Sequence, residues 1–99
     1  MWLDVQRSVD LAHFVAAAVR IITCTGRRCL SPRQQNEIVG TLLHVSGETV
    51  RLWRRGPARP GFDKLLALIV EAADACGGEY ALLVEIYGED KAAQMWGQA

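Results

Sequence analysis

The stretch QNEIVGTLLHVSGETVRLWRRG, residues 35–56, decides the fold of this chain. It holds two runs with the apolar spacing of an α-helix, separated by His44-Val45-Ser46. Ser46 is a preferred N-cap, because its hydroxyl accepts a hydrogen bond from a free backbone N–H of the next turn. Gly56-Pro57 ends the second run, since Gly accepts the left-handed conformation and Pro cannot continue a helix. The stretch therefore predicts two helices joined by a tight turn.

The first of these helices is predicted over residues 32–43, with Ser31 as its N-cap and Pro32 at its first position. Gly40 leaves room for the second helix to cross closely. The apolar residues of this helix are expected to share one face: Ile38, Val39, Leu42 and Leu43.

The second helix is predicted over residues 46–55. Val50 and Trp53 lie three positions apart and are expected to face inward together with Val45. The other side of the helix is then an outer face that carries Glu48, Arg51, Leu52 and Arg55.

The pattern V-G-x-x-L-x-V-S-x-x-T-V-x-x-W-x-x-G, residues 39–56, resembles the helix-turn-helix of the Cro and lambda-repressor-like (XRE) regulators of phages and mobile elements. The Pro-containing loop and the further helix that follow it are similar to that family as well. The family usually has Gly where this chain has His44, because the turn residue there tends towards positive φ. Histidine tolerates this conformation better than most residues.

The resemblance implies an all-α, lambda-repressor-like domain whose second helix enters the major groove of DNA. Arg51 and Arg55, one turn apart, are the candidates to reach guanine edges. Glu48 is a candidate to accept from a cytosine amino group, or it only complements the helix dipole. The expected base-reading residues are Gly47, Glu48, Arg51, Leu52 and Arg55.

In that family the start of the first helix lies against the DNA backbone, where side chains and free N–H groups can hold a phosphate. The candidates for phosphate contacts here are Arg27, Arg28, Arg33, Gln34, Gln35, Asn36, Ser46, Thr49, Arg54 and Arg59.

The charge distribution fits this expectation, although the formal net charge of the 99 residues is zero. Residues 1–26 are balanced, whereas residues 27–62 carry seven arginines against two glutamates, a net charge of +5. Residues 63–99 carry two lysines against seven acids, a net charge of −5. The positive charge is thus concentrated around the predicted helix pair.

The whole chain is expected to form one domain of five or six short helices. Residues 3–23 are apolar around most of a helix, which predicts either a central helix or part of a dimer seam. Residues 62–76 predict a helix whose inner face comprises Phe62, Leu65, Leu66, Ile69, Ala73 and Cys76. Residues 79–87 also fit a strand, but we predict a helix because no partner strand is visible. Residues 79–99 are a possible dimerisation segment.

The three cysteines, Cys24, Cys29 and Cys76, show no paired metal-ligand spacing, so we expect reduced thiols and no metal site. No apolar run is long enough to span a bilayer. Without a nucleophile–base constellation the sequence predicts neither an enzyme nor a cofactor, and it predicts a cytoplasmic location.

These observations together predict a sequence-specific transcriptional regulator that binds double-stranded DNA as a homodimer, most simply a repressor of a phage, plasmid or mobile element. One alternative is an antitoxin that binds DNA to regulate its own synthesis and holds a basic toxin with its acidic C-terminal third. A second is a helical module that binds an acidic protein instead of DNA.

Overall fold

The computed structural model describes residues 11–24 and 30–97, and these segments contain helices and short connections but no strand. The six helices are α1 (Leu11–Thr23), α2 (Pro32–Leu43), α3 (Gly47–Arg55), α4 (Phe62–Cys76), α5 (Glu79–Tyr87) and α6 (Glu89–Gly97). The prediction of an all-α fold with five or six helices is confirmed. Residues 79–87 form a helix, as predicted.

The helix starts and stops follow the local signals of the sequence. Ser31 caps α2: its Oγ accepts from the Gln34 backbone N–H at 3.2 Å, and its own N–H donates to Gln34 Oε1 at 3.1 Å. This reciprocal capping box satisfies two of the N–H groups that a helix start leaves without partners. At the end of α3, Gly56 adopts φ 106° and donates its N–H to the Leu52 carbonyl at 2.9 Å.

Helix α1 lies at the centre of the fold and packs against α2, α3, α4 and α5. Phe14, Val15 and Val19 of this helix are fully buried. Burial of each such side chain contributes about 1.5–3 kcal/mol. The predicted helix of residues 3–23 is therefore the central helix over residues 11–23, while residues 3–10 lie outside the described part of the chain.

The buried face of α4 differs from the predicted one. Leu65 and Ile69 are buried as predicted, but Phe62 and Leu66 are 43% and 38% exposed. The other helices pack along one side of α4 only, where the buried side chains are Leu65, Leu68, Ile69, Ala72 and Ala73. Together with Val70, Phe62 and Leu66 form an exposed apolar stripe at i, i+4, i+8 spacing.

A similar correction applies to α2. Val39 and Leu43 are buried, whereas Ile38 and Leu42 are exposed. Ile38 and Leu42 lie about 100° around the helix from Val39 and Leu43, on a side of α2 that stays exposed. Lys64 of α4 stabilises the C-terminal end of α2, because its Nζ donates to the Leu43 carbonyl at 2.8 Å.

Helices α5 and α6 pack on each other and close the fold beside α4. The ring of Tyr87 is stacked on that of Phe14, with 6.4 Å between the ring centroids. Tyr80 and Trp96 meet edge to face at 5.6 Å. Tyr87 therefore belongs to the packed interior, while Trp96 remains 45% exposed.

Candidate nucleic-acid interface

The turn between α2 and α3 is built on His44. This residue adopts the left-handed conformation, with φ 60° and ψ 41°. The reversal lets the N–H of Val45 donate to the Gly40 carbonyl at 2.8 Å, which satisfies a carbonyl at the end of α2. The prediction of a positive-φ residue at this position is confirmed, with histidine in the place of glycine.

Gly40 is the point of closest approach between α2 and the start of α3. A Cβ atom on Gly40 would lie 2.7 Å from the Val45 carbonyl oxygen and 3.1 Å from the backbone nitrogen of Gly47. Both are backbone atoms that cannot rotate away. The predicted close crossing at Gly40 is confirmed, and it fixes the position of α3 on α2.

The inner face of α3 is anchored in the core. Val50 is fully buried and Trp53 is 5% exposed, and Val45 packs against the same cluster. Ser46 caps the helix, because its Oγ accepts from the Thr49 N–H at 3.1 Å. The two hydroxyls also lie 2.8 Å apart. Ser46 and Thr49 thus hold the start of α3 whether or not they meet a phosphate.

The outer face of α3 carries an ion pair between Glu48 and Arg51. Arg51 Nε donates to Glu48 Oε2 at 2.8 Å, and Arg51 Nη2 donates to Glu48 Oε1. The hydrogen bond from Arg51 lowers the pKa of Glu48, and the same bond raises the pKa of Arg51. Both groups are therefore charged at neutral pH, and both are open to solvent.

Arg54 has a different environment. Its Nη1 donates to Asn36 Oδ1 at 2.8 Å, which joins α3 to the first half of α2. Burial lowers the pKa of Arg54, and the positive charge of Arg20 lowers it further. Arg54 is thus a partly buried link between two helices.

Gln35 and Asn36 are both buried, with 6% of each residue exposed. Gln35 Nε2 donates to the Leu30 carbonyl at 3.0 Å, while its Oε1 is buried without a hydrogen-bond partner. Both residues are among the predicted phosphate contacts, and the structure buries them. The reason is helical periodicity, since Gln35 precedes Val39 by one turn and shares its inward direction.

A groove of about 620 Å³ runs between the N-terminal part of α2 and the outer face of α3, from Gly47 to Arg55. Arg33 and Glu37 form an exposed pair on its α2 side, with 3.5 Å between Nε and Oε1. Among the described residues no carboxylate pairs with Arg55. The lining residues are Pro32, Arg33, Asn36, Glu37, Gly47, Glu48, Arg51 and Arg55.

The groove brings together four of the five predicted base-reading residues, with Leu52 half-buried on the same helix. Of the predicted phosphate contacts, Arg33 and Arg59 are exposed, and Gln34 is exposed but engaged in the cap of α2. Arg27 and Arg28 lie outside the described residues.

Sequence reasoning missed two features of this surface. The first is Glu37, whose i, i+4 spacing from Arg33 is a signal that the sequence does contain. The second is the bond between Asn36 and Arg54, which are 18 residues apart, so that no local pattern announces it.

A second, separate groove of about 820 Å³ lies between α1, α4 and α5, and Cys24 and Cys76 are among its lining residues. Burial raises the pKa of the Cys76 thiol, and the negative charge of Glu85 raises it further. In residues 11–24 and 30–97 no three metal-ligating side chains lie close enough to share an ion.

No protein-family model matches the chain, and neither a curated protein nor a solved structure is significantly similar to it. No helix within the described segments has both the length and the apolar character to cross a membrane. Function is therefore inferred from the surface geometry of α2 and α3.

Proposed function

We propose that the protein is a sequence-specific DNA-binding transcriptional regulator of the Cro and lambda-repressor-like type, which reads the major groove with α3. It serves as a small repressor of a phage, plasmid or similar element. One observation carries the proposal: α3 buries Val50 and Trp53 on one face and exposes an arginine-bearing face on the other.

The major groove of B-DNA is wide enough for an α-helix and displays a distinct pattern of donors and acceptors for each base pair. Arg51 and Arg55 are one turn apart on α3 and both line the groove beside α2. Arginine binds the O6 and N7 atoms of guanine with two hydrogen bonds. The half-buried Leu52 adds an apolar surface of the kind that contacts a thymine methyl.

Phosphate contacts are assigned to the exposed cations around this face. Arg33, at the start of α2, and Arg59, after α3, are the described candidates, and Arg27 and Arg28 complete the basic segment. Gln35 and Asn36 are buried, and Arg54 is tied to Asn36. Asn36 and Arg54 therefore serve to fix α2 and α3 relative to each other, and Gln35 holds the segment before α2 through the Leu30 carbonyl.

The regulator acts as a homodimer, because a single recognition helix reads too few base pairs to be specific. We place the contact between copies at the exposed Tyr80–Trp96 pair of α5 and α6. Glu79, Glu89 and Asp90 surround this pair in sequence and would repel a phosphate backbone. The two copies of α3 would then lie about 34–36 Å apart, one turn of duplex, on an inverted repeat.

The test is binding to duplex DNA as a function of salt. A site is first selected from a randomised duplex library with the full chain, and its affinity is then measured for Arg51→Ala. Loss of a base-contacting arginine should weaken binding to that site about 5- to 150-fold and relax the preference at one base pair. The fold should be unchanged, because Arg51 lies on the outer face of α3.

Lys91→Ala is the matched control, since it removes one exposed cation from the acidic half of the protein. It should leave the selected site and its affinity unchanged. A chain that binds no duplex at low salt would contradict the proposal and support a module that binds an acidic protein. Sedimentation tests the dimer separately: a monomer that occupies a single asymmetric site would rule it out.

A further inference from the structure

The ion pair on the outer face of α3 leaves only part of Arg51 free to act. A guanidinium group has a side-on edge, formed by Nε–H and one Nη–H, and an end-on edge, formed by one N–H from each of its two Nη atoms. Glu48 occupies the side-on edge, because it accepts from Nε and from Nη2. Three N–H groups of Arg51 remain, and they include the complete end-on edge.

We propose that Glu48 is a positioning residue that clamps Arg51 side-on, so that Arg51 meets a guanine with its end-on edge. The inference rests on the proposed function, and it assigns Glu48 a role other than reading a cytosine. The O6 and N7 atoms of guanine are two neighbouring acceptors on one base edge, and the end-on pair of N–H groups matches them.

The position of Glu48 in the helix supports this role. It lies in the first turn of α3, where a carboxylate interacts favourably with the helix dipole, and it is three residues before Arg51. Both carboxylate oxygens already accept from Arg51, so the negative charge that Glu48 would bring to the DNA surface is compensated.

Solvent weakens such a pair in the free protein, because exposed ion pairs are screened by water. Docking on a duplex removes water from the groove, and the hydrogen bonds between the two side chains then become stronger. An arginine that is already held in place also loses less conformational freedom on binding than a free one. Glu48 therefore stabilises the bound geometry of Arg51 more than its free geometry.

The groove contains a natural control. Glu37 also pairs with an arginine, Arg33, on the α2 side of the same groove, at 3.5 Å. It makes no hydrogen bond or ion pair with Arg51 in the described structure. Glu37→Gln and Glu48→Gln each remove one negative charge from the same groove, so both should raise affinity for unselected duplex. Only the change at Glu48 should alter the base preference.

The experiment uses the full chain and the site that the wild-type protein selects from a randomised duplex library. Binding of Glu48→Gln, Glu48→Ala and Glu37→Gln to every single-base variant of that site is measured by fluorescence anisotropy. Circular dichroism confirms that each variant is folded. Glu48→Ala should reduce the preference for guanine at one base pair about two- to tenfold, which corresponds to the cost of ordering one long side chain.

That base pair should be the one whose preference Arg51→Ala also relaxes. In the Arg51→Ala background, Glu48→Ala should cause no further change in base preference. Glu37→Gln should keep the preference of the wild type. An unchanged preference in Glu48→Ala would overturn the inference and leave DNA binding intact. So would a change at a cytosine that persists without Arg51, because Glu48 would then read the base itself. A wild-type chain that selects no site would overturn the proposed function and this inference with it.

Discussion

The two halves of the molecule on either side of α1 expose different chemistry. The α2–α3 half presents Arg33, Arg51 and Arg55 around a groove, and the side-chain hydrogen bond from Arg54 to Asn36 links its two helices. The α4–α6 half carries most of the acidic residues. It also carries five of the seven large hydrophobic side chains that the described residues expose, Phe62, Leu66, Val70, Tyr80 and Trp96, while Ile38 and Leu42 lie on α2.

The difference teaches how a chain of zero net charge can present a face to an anionic partner. Charge is separated along the sequence, and packing around α1 then keeps the two kinds of surface apart. In the α2–α3 half, the close backbone contacts at Gly40 fix the position of α3. The second half has the apolar surface that a contact between protein copies needs.

The largest expected effect compares the tryptophans of the two halves. Trp53→Ala should lower the free energy of unfolding by about 3–5 kcal/mol, because the side chain fills the core. Trp96→Ala should cost about 1 kcal/mol, since Trp96 is exposed and its described ring contact is with Tyr80. Urea denaturation followed by circular dichroism measures both. Equal losses of unfolding free energy in the two variants would contradict the assignment of Trp53 to the core and Trp96 to the surface.

The next effect concerns the crossing of α2 and α3. Gly40→Ala places a methyl group against the backbone of Val45 and Gly47, so the turn must shift. The cost should be about 1–3 kcal/mol, as for other overpacked sites. Gly97→Ala in the other half is the control, because its Cβ would meet no heavy atom of the described structure within 4 Å. Identical midpoints of urea denaturation for the two variants would contradict the close crossing.

A third prediction concerns salt. Arg33→Gln and Arg59→Gln should each reduce the slope of log affinity against log salt by up to about one unit, as expected for a lost phosphate contact. Lys91→Gln should leave the slope unchanged. Lys64 is unsuitable as a control, because its Nζ donates to the Leu43 carbonyl and its loss would disturb α2. A slope that depends on Lys91 and not on the arginines would show that the phosphate-binding face lies on the α4–α6 half and not on the proposed α2–α3 half.

The smallest effect compares two turns. His44 and Gly77 both end a helix in the left-handed region, at φ 60° and φ 94°. His44→Gly should raise the free energy of unfolding by about 1 kcal/mol, because glycine avoids the steric cost of this conformation. Gly77→His should lower it by a similar amount. Thermal melts of the two variants measure the direction of each stability change. A loss of stability in His44→Gly would mean that the imidazole has a stabilising role.

Local signals were sufficient for much of this fold. The Ser31-Pro32 start, the Ser46 cap and the Gly56 stop all appear where the sequence predicts them, because each depends on residues within one turn. Val50 and Trp53 face inward for the same reason. The helix of residues 79–87 followed from the lack of any partner strand.

What the sequence did not reveal depends on distant packing. The burial of Asn36 has no local mark, since its partner Arg54 is 18 residues away. The exposure of Phe62 and Leu66 depends on which side of α4 the other helices occupy. The bond from Lys64 to Leu43 spans 21 residues and has no sequence pattern. The pair of Glu48 and Arg51 is local, but the sequence also fits a Glu48 that reads a cytosine or one that only complements the helix dipole.

The hydrogen bond between Asn36 and Arg54 has a consequence for protein engineering. The outer positions of α3 can be varied without loss of this bond, so the helix stays in place. A graft of α3 alone onto another scaffold would carry Arg54 without its acceptor and leave a partly buried cation uncompensated. A transfer of α3 must therefore include α2 as well, so that Arg54 keeps Asn36 as its acceptor.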